Sequence, residues 1–365
     1  MGQFPVHGIL MIDPLLNQDQ GYTPLFHVIR GKVVESIHYG AIAVVDGSGK
    51  LFAWSGNPDA VSFLRSSAKP FQSLPLVEMG GLDAFQITEE ELAITCASHS
   101  GTDRHLKTIT RLQRKIGISE NNLLCCIHQP FHQSTRELLK DRGELPSQNH
   151  HNCSGKHTGM LAQSKLLGAD LRNYTETDHP VQQQILTVIG EMCCLKRSKI
   201  QLGRDGCSVP TFAMPLYHAA WGWARLADPS KLSPERESAC RIVSSAMLNH
   251  PYLVAGPGRL DTRLMECTNG TLISKAGAEA FQSVGIPENS IRPGSPALGI
   301  ALKISDGDQG KRARRAVMIE VLRQLGILTA NHLKDLADLG PTLTYQNQCN
   351  KVTAVGKPCF QLEYN

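Results

Sequence analysis

Hydrophobic residues follow a strand-like pattern towards both ends of this chain and a helix-like pattern in its middle. Residues 41–45 are apolar throughout, and a Gly-rich turn at 46–49 separates them from the apolar residues 51–54, which predicts a β-hairpin. Near the other end, apolar residues alternate strictly, at Leu298, Ile300, Leu302 and Ile304. Strict alternation predicts a strand with one buried face.

The middle of the chain has the periodicity of amphipathic helices. Residues 103–116 have an apolar face and stop at Gly117, and residues 178–192 repeat the pattern. Ser233-Pro234-Glu235 is typical of a helix start, with a capping serine and a proline at the first helical position. A closing helix is predicted over residues 317–325. Strands from the termini and helices from about residues 100–250 predict an α+β fold with an antiparallel sheet flanked by helices, in one unit spanning residues 1–365.

Composition and charge exclude several classes of protein. The 365 residues are 41% hydrophobic and 19% charged, with a net charge of +4, as in ordinary globular proteins. The one basic run, at 311–315, precedes a helix and is interpreted as solvated, so no nucleic-acid partner is expected. No apolar stretch approaches the ~20 residues needed to cross a membrane, and residues 1–6 lack the features of a signal peptide. The eleven cysteines, an odd number with two adjacent pairs, predict reduced thiols and a cytoplasmic location.

The first candidate for chemistry is a serine three residues before a lysine, Ser66 and Lys69. On a helix, positions i and i+3 share a face, so the amine could take the proton of the hydroxyl if burial or a second cation keeps the amine neutral. This spacing carries the nucleophile of class A β-lactamases and penicillin-binding proteins. Alone it is a weak signal, because any serine-rich helix start produces it.

Three more segments are rich in small and reactive residues and lack helical or strand periodicity, at residues 96–101, 152–157 and 205–210, and a shorter fourth, at 274–277, follows the strand-like residues 271–273. Each has an ordinary structural explanation. Ser98 could cap the helix that begins at Asp103, the cysteines could be small buried hydrophobic residues, and Lys275 could lie on a strand edge. Together, however, they repeat the order of the β-lactamase motifs, with Lys275-Ala276-Gly277 in the third place. Two lysines in one cleft would lower each other's pKa, which favours a lysine base.

The second and third segments also raise the possibility of a metal site. Two cysteines on separate loops, Cys153 and Cys207, with nitrogen donors from Lys156 or His157 nearby, suit zinc. The spacing matches no ordinary zinc finger, and lysine is an unusual ligand because it must first lose a proton. The residues alone therefore leave both a zinc site and buried, metal-free cysteines open.

Taken together, these motifs resemble the L-asparaginases of the rhizobial type, a zinc-binding, serine-dependent amidase family with a β-lactamase-like fold. The resemblance rests on Arg65-Ser66-Ser67-Ala68-Lys69-Pro70, Cys96-Ala97-Ser98-His99-Ser100, Asn152-Cys153-Ser154-Gly155-Lys156-His157 and shorter elements at 103–105, 205–207, 256–259 and 275–277, and covers about residues 25–310. It implies two Ser–Lys dyads, a zinc ion, a substrate pocket and a homodimer. The implied residues are Ser66 with Lys69 and Ser98 with Lys275 for catalysis, Cys153, Lys156 and Cys207 for zinc, and Arg65, His157 and Asp205 for substrate.

The expected function is therefore hydrolysis of L-asparagine to L-aspartate and ammonia through a serine acyl-enzyme. Ser66 would attack the side-chain amide, Lys69 would take its proton, and Ser98 and Lys275 would relay protons. Zinc is expected to shape the pocket or position substrate, and not to activate the nucleophile. Two alternatives stay open at this point, an acyl hydrolase of the same fold that acts on β-lactams or peptides, and a zinc-stabilised binding protein without catalysis.

Overall fold

The computed structural model describes residues 20–365, so the expectation that residues 1–6 carry no signal peptide lies outside the described part. A nine-stranded sheet has the order β10-β11-β1-β2-β9-β8-β7, with β3 on β2 and β12 on β3, and its strand pairs are antiparallel. Its strands are β1 Thr23–Arg30, β2 Val33–Asp46, β3 Leu51–Ser55, β7 Ile273–Ala276, β8 Phe281–Ile286, β9 Leu298–Ile304, β10 Leu343–Gln346, β11 Val352–Pro358 and β12 Glu363–Tyr364. A smaller antiparallel sheet contains β4 Val61–Phe63, β6 Pro210–Pro215 and β5 Gln201–Arg204, in that order.

Helices fill the middle of the chain and return once after β9. They are α1 Lys69–Glu78, α2 Gly81–Ala84, α3 Glu89–Thr95, α4 Asp103–Ile116, α5 Gln133–Asp141, α6 Ser154–Leu166, α7 Pro180–Met192, α8 Leu216–Ala227, α9 Pro234–Asn249, α10 Pro251–Val254, α11 Leu260–Cys267, α12 Ala313–Gln324 and α13 Ala330–Asp335. The predicted α+β class, with a helical middle and strands supplied by both ends, is confirmed. Within the described residues, no helix is both long and apolar enough to span a bilayer.

Local sequence signals set several boundaries where they were expected. Helix α4 begins at Asp103 and ends at Ile116, where Gly117 adopts a left-handed conformation with φ of 70°. The Ser233 side chain accepts a hydrogen bond from the backbone N–H of Arg236, and Pro234 occupies the first position of α9. Capping hydrogen bonds and the φ preferences of glycine and proline depend only on residues close in the sequence. The sequence alone is therefore sufficient to place these helix boundaries.

The large sheet is covered on both faces, which the alternation along β9 did not predict. Helix α8 packs against β9 and β2 on one face, and α12 packs on the other. The larger residues of β9 face α12, whereas Gly299 and Ala301, between them, face α8 and are also buried. A Cβ on Gly299 would lie 1.8 Å from the carbonyl oxygen of Ala220, so α8 can approach this closely only because position 299 has no side chain.

Candidate active site

The predicted Ser–Lys pair lies where a short 3-10 helix, Arg65–Ala68, runs directly into α1. Ser66 is partly exposed, whereas Lys69 is buried with 1% of its surface accessible. Arg65, immediately before the serine, has a φ of 50°, a region that side chains with a Cβ seldom occupy. Such strain at the edge of a cleft is typical of functional sites.

The second serine lies on the connection between α3 and α4 and is the point where both predicted lysines meet. Lys69 Nζ lies 3.0 Å and Lys275 Nζ 2.9 Å from the Ser98 hydroxyl oxygen. Ser98 is 5% exposed, and its backbone N–H is bonded to the carbonyl of Val254. The structure thus brings Ser98, Lys69 and Lys275 together. It does not join Ser66 to Lys69, since neither amine hydrogen-bonds the Ser66 hydroxyl.

Each amine also has further contacts that hold it in place. Lys69 Nζ donates to the carbonyl oxygen of Ala97 at 2.5 Å and lies 3.2 Å from the sulfur of Cys153. Lys275, on β7, donates to the carbonyl oxygen of Ala276 at 2.8 Å. Both side chains therefore reach Ser98, Lys69 from helix α1 and Lys275 from strand β7.

Burial makes both lysines easier to deprotonate. Burial is the main cause that lowers the pKa of Lys275 to about 7, with contributions from the neighbouring cations Lys69 and Arg259, while Asp261 opposes the shift. Burial likewise lowers the pKa of Lys69, against an opposing effect of Cys153. A neutral amine within 3 Å of a serine hydroxyl can accept its proton, so this arrangement can act as a general base near neutral pH.

A buried carboxylate beneath Lys275 was missed in the sequence. Asp261, in the first turn of α11, accepts hydrogen bonds from the Ser274 hydroxyl, the Gln282 amide and the backbone N–H of Ala276 at 2.8–2.9 Å. Burial alone would raise the pKa of Asp261, but the charge of Lys275 and these donors keep it low. Acidic residues are common in the first turn of helices. Nothing in the sequence therefore distinguishes Asp261 from an ordinary acidic residue at a helix start.

The predicted metal ligands form one buried cluster. Cys153 precedes α6, Lys156 lies in its first turn, and Cys207 comes from the loop between β5 and β6. Lys156 Nζ lies 2.9 Å from the sulfur of Cys207. The Cys207 thiol donates to Cys153, which lowers the pKa of Cys153 and raises that of Cys207. Burial alone would lower the pKa of Lys156, but the two sulfurs outweigh burial and raise it.

The chemistry of this donor set fits zinc. Two sulfurs and one nitrogen are already in contact, and a soft set of this kind is one that zinc accepts. Within residues 20–365, histidines, cysteines and carboxylates do not assemble in groups of three that could hold a metal, so a third protein donor at this cluster would be the lysine amine. Lys156 must release a proton to bind, because only a neutral amine has a free electron pair.

The three predicted substrate residues lie in different surroundings. Arg65 and Asp205 form an ion pair with a 2.7 Å separation, and both remain partly accessible at the edge of the cleft. His157 is fully buried on α6, and its Nδ1 lies 2.6 Å from the hydroxyl of Tyr174. Its Nε2 has no hydrogen-bond partner among the described residues. The ion pair is thus accessible to a ligand as the structure stands, whereas His157 is covered.

Comparison with known proteins identifies a family for nearly the whole chain. A family model described as L-asparaginase II matches residues 26–356. The match extends past the expected limit near residue 310 and includes most of β11, in agreement with the pairing of that strand with β1 in the large sheet. No curated protein matches the sequence significantly.

Several solved structures match at low identity. A probable glutaminase from Bacillus subtilis in complex with 6-diazo-5-oxo-L-norleucine is 11% identical, with 79% of this chain and 84% of that chain covered and a TM-score of 0.39. A protein named Mglu, in its native form, is 13% identical over 80% of this chain and 66% of that chain, with a TM-score of 0.43. A Bacillus glutaminase in 4.3 M NaCl is 10% identical over 79% and 92%, with a TM-score of 0.38.

Proposed function

Since the chain belongs to the L-asparaginase II family and is thus an amidohydrolase, we propose that it hydrolyses the side-chain amide of L-asparagine through a serine acyl-enzyme. The observation that carries the proposal is the position of the Ser98 hydroxyl between two buried lysine amines, 3.0 and 2.9 Å away. A hydroxyl in contact with a base of lowered pKa is the arrangement that nucleophilic catalysis of acyl transfer requires. The family match supports the amide as the bond that is broken.

Ser66 is the proposed nucleophile, because it is the accessible serine of the two. Its oxygen attacks the amide carbon, and its proton passes to the neutral amine of Lys69. For this transfer Lys69 has to turn from Ser98, which it contacts in the structure, towards Ser66. Ser98 and Lys275 carry a proton to the departing nitrogen. The C–N bond breaks, ammonia leaves, and the product acid stays bound as an ester of Ser66. Water, deprotonated by the same amines, then cleaves this ester and releases L-aspartate.

Arg65 and Asp205 are proposed to select the amino-acid end of the substrate. A zwitterionic amino acid carries one carboxylate and one ammonium group, and the pair offers a planar guanidinium and a carboxylate side by side. Substrate binding would exchange one ion pair for two. The guanidinium of Arg65 and the carboxylate of Asp205 are both partly exposed. The exchange of ion pairs therefore needs no unfolding of the loop between β5 and β6.

We also propose that Cys153, Lys156 and Cys207 hold zinc. When bound, the ion would supply a fixed positive charge beside the pocket. Two thiolates neutralise much of that charge, and the serine already provides a nucleophile, so zinc is assigned a structural or substrate-positioning role. Cys153 also contacts Lys69, at 3.2 Å, so one of the proposed zinc ligands adjoins the proposed catalytic lysine.

The activity test compares three substrates, L-asparagine, L-glutamine and a chromogenic β-lactam, by release of ammonia or chromophore. We expect turnover of asparagine to exceed that of the other two. Hydrolysis of the β-lactam without ammonia release from either amide would overturn the proposal. Binding of asparagine without any turnover would indicate a binding protein instead.

The serine assignment is tested with matched variants. Ser66→Ala should lower kcat by at least ~1000-fold, because groups that act as a unit lose nearly all activity when one is removed. The control is Ser67→Ala, since the adjacent Ser67 hydroxyl is buried and has no hydrogen-bond partner among the described residues. Ser67→Ala should retain kcat within about twofold. If Ser66→Ala keeps more than a few per cent of the rate while Ser98→Ala loses it, Ser98 is the nucleophile.

A further inference from the structure

A cavity of about 460 Å³ between α5, the loop before α11 and the start of α12 is lined by five basic side chains. Arg136 comes from α5, Arg259 from the loop, and Lys311, Arg314 and Arg315 from the region where α12 begins. The other residues that line it are Phe131, Gly258 and Leu260, so its lining contains no carboxylate. None of these residues is assigned a catalytic or substrate-binding role in the proposed hydrolysis, although the charge of Arg259 contributes to the lowered pKa of Lys275. The basic run at 311–315 is therefore not merely solvated, as its sequence suggested, but contributes three of the five cations.

The nearby carboxylates are already occupied and cannot neutralise these cations fully. Asp308 accepts hydrogen bonds from the backbone N–H groups of Arg312, Ala313 and Arg314 at the start of α12. Asp261 is engaged by Ser274, Ala276 and Gln282, as described above. Because Asp308 occupies the backbone donors at the start of α12, an anion in the cavity would have to be bound by side chains.

Several of the basic side chains are fixed in place with donors still free. The guanidinium of Arg259 lies over the ring of Phe131, 5.4 Å from its centre, and donates to no acceptor in residues 20–365. Arg136 is anchored through the carbonyl oxygens of Pro130 and Phe131, and Arg314 through the side chain of Gln282. Anchored arginines lose less conformational freedom when a ligand arrives, so they bind it with a smaller entropic cost.

The crowding of like charges has an electrostatic cost. Burial, together with Arg259 and Arg315, lowers the pKa of Arg314 to about 10, although Asp261 and Asp308 oppose the shift. Burial also lowers the pKa of Arg259, and Arg315 adds to the effect. Both groups still carry a charge near neutral pH, so a bound anion would relieve their repulsion.

We propose that this cavity binds a small molecule that carries phosphate groups. Arginine forks match phosphate oxygens in pairs of parallel hydrogen bonds, and four arginines with a lysine at the rim can engage more than one phosphate. The volume lies within the range of small-molecule sites, roughly 300–1,000 Å³, and greatly exceeds the space that a chloride ion needs. This proposal does not depend on the reaction that the enzyme catalyses.

The test is calorimetric titration of the full-length protein with pyrophosphate, in about 0.15 M KCl to screen non-specific attraction. We expect saturable binding of one pyrophosphate per chain, with inorganic phosphate binding more weakly at the same site. Malonate, a dicarboxylate, should bind more weakly than pyrophosphate. Equal affinity for malonate would overturn the assignment to phosphate, and absence of saturable heat from pyrophosphate would overturn the site.

Charge-removal variants locate the binding. Lys311→Gln with Arg315→Gln should weaken pyrophosphate binding by roughly tenfold or more. The control, Lys231→Gln with Arg292→Gln, removes the same charge from two exposed positions outside the cavity lining and should bind as the wild type does. If the double variant is unstable, Lys311→Gln alone replaces it, because the Lys311 side chain is exposed. This single variant should lose less affinity for pyrophosphate than the double variant, but still bind it more weakly than the wild type. Equal affinities in all variants would overturn the proposal, because pyrophosphate that bound by chelating zinc would not respond to charges in the cavity. An equal loss of affinity in the control would also overturn it.

Discussion

At the scale of single residues, the site depends on how burial changes the protonation of lysine. Lys275 is completely buried, and Asp261 is the main nearby counter-charge for its ammonium form. An exposed lysine would be charged at neutral pH and useless as a base. The same burial that destabilises the ammonium thus makes the amine a base at physiological pH.

The pH dependence of activity follows from the lowered pKa of Lys275, about 7. We expect kcat/KM for asparagine to rise with pH through about 7 and to level off in the alkaline range, because the base must be neutral. Lys275→Arg should abolish the rise together with most of the activity, since a guanidinium stays protonated. A profile that is flat from about pH 6 to 9 would contradict a lysine base.

Folding stability should respond to pH in the same direction. The pKa of Lys275 is lower in the folded protein than its ordinary value near 10.4, so the unfolded chain binds more protons between those two values. The contribution of Lys275 to stability therefore increases as pH rises from about 7 to about 10. Chemical denaturation across this range should show a smaller pH-dependent gain in Lys275→Met than in the wild type.

Asp261 should act on catalysis through Lys275. Its charge raises the pKa of Lys275, so Asp261→Asn should move the midpoint of the kcat/KM profile to lower pH. The variant also disturbs three buried hydrogen bonds and should lose about 1–3 kcal/mol of unfolding free energy. A loss of stability without a shift of the midpoint would mean that Asp261 is only structural.

At the scale of elements, close contact between helices decides where the proposed metal ligands lie. Gly155 lies on α6 between Cys153 and Lys156, and a Cβ there would be 2.1 Å from the backbone oxygen of Ile94 on α3. The oxygen belongs to the backbone of a buried helix and cannot move alone. The glycine of this motif is therefore explained by packing and not by metal chemistry.

Gly155→Ala should consequently destabilise the protein although alanine favours helices. In an open helix, the change would stabilise by up to about 1 kcal/mol, but the clash with α3 should reverse the sign to a net loss of about 1–3 kcal/mol. Thermal unfolding would measure this. The control is Gly47→Ala, where a Cβ meets nothing within 4 Å and should change stability by less than about 0.5 kcal/mol.

At the scale of the whole molecule, zinc would join two parts of the chain that are far apart in sequence. Cys153 precedes α6 and Cys207 lies in the loop between β5 and β6, so metal binding would tie the loop that carries Asp205 to the helical region. The homodimer implied by the resemblance stays a prediction.

Removing a zinc ligand should therefore affect substrate binding more than chemistry. Cys207→Ala, or chelation, should lower metal content, raise KM and lower Tm, while part of kcat survives. Cys349→Ala, at an exposed cysteine, is the control and should match the wild type. Metal content by elemental analysis, measured with kcat and KM, decides the point. A metal-free enzyme that binds asparagine normally but has no kcat would make zinc the catalyst.

The sequence by itself was sufficient for those features that depend on neighbours along the chain. These features are the bounds of α4, the capped start of α9, the α+β class and the family motifs. They follow from spacings of a few residues, because capping and hydrophobic periodicity act within a turn or two.

Only the tertiary structure decided the contacts between distant residues. Ser98 and Lys275 are 177 positions apart in the sequence. No local pattern could show that Lys69 contacts Ser98 and not Ser66, which is nearer to it in the sequence. The role of Asp261, the cover on both faces of β9 and the basic cavity beside α12 likewise depend on which elements pack together. Packing sets the burial and the electric field at each group. These determine whether the pKa of a lysine is low enough for it to act as a base, and whether the charge of an arginine is left without a counter-charge.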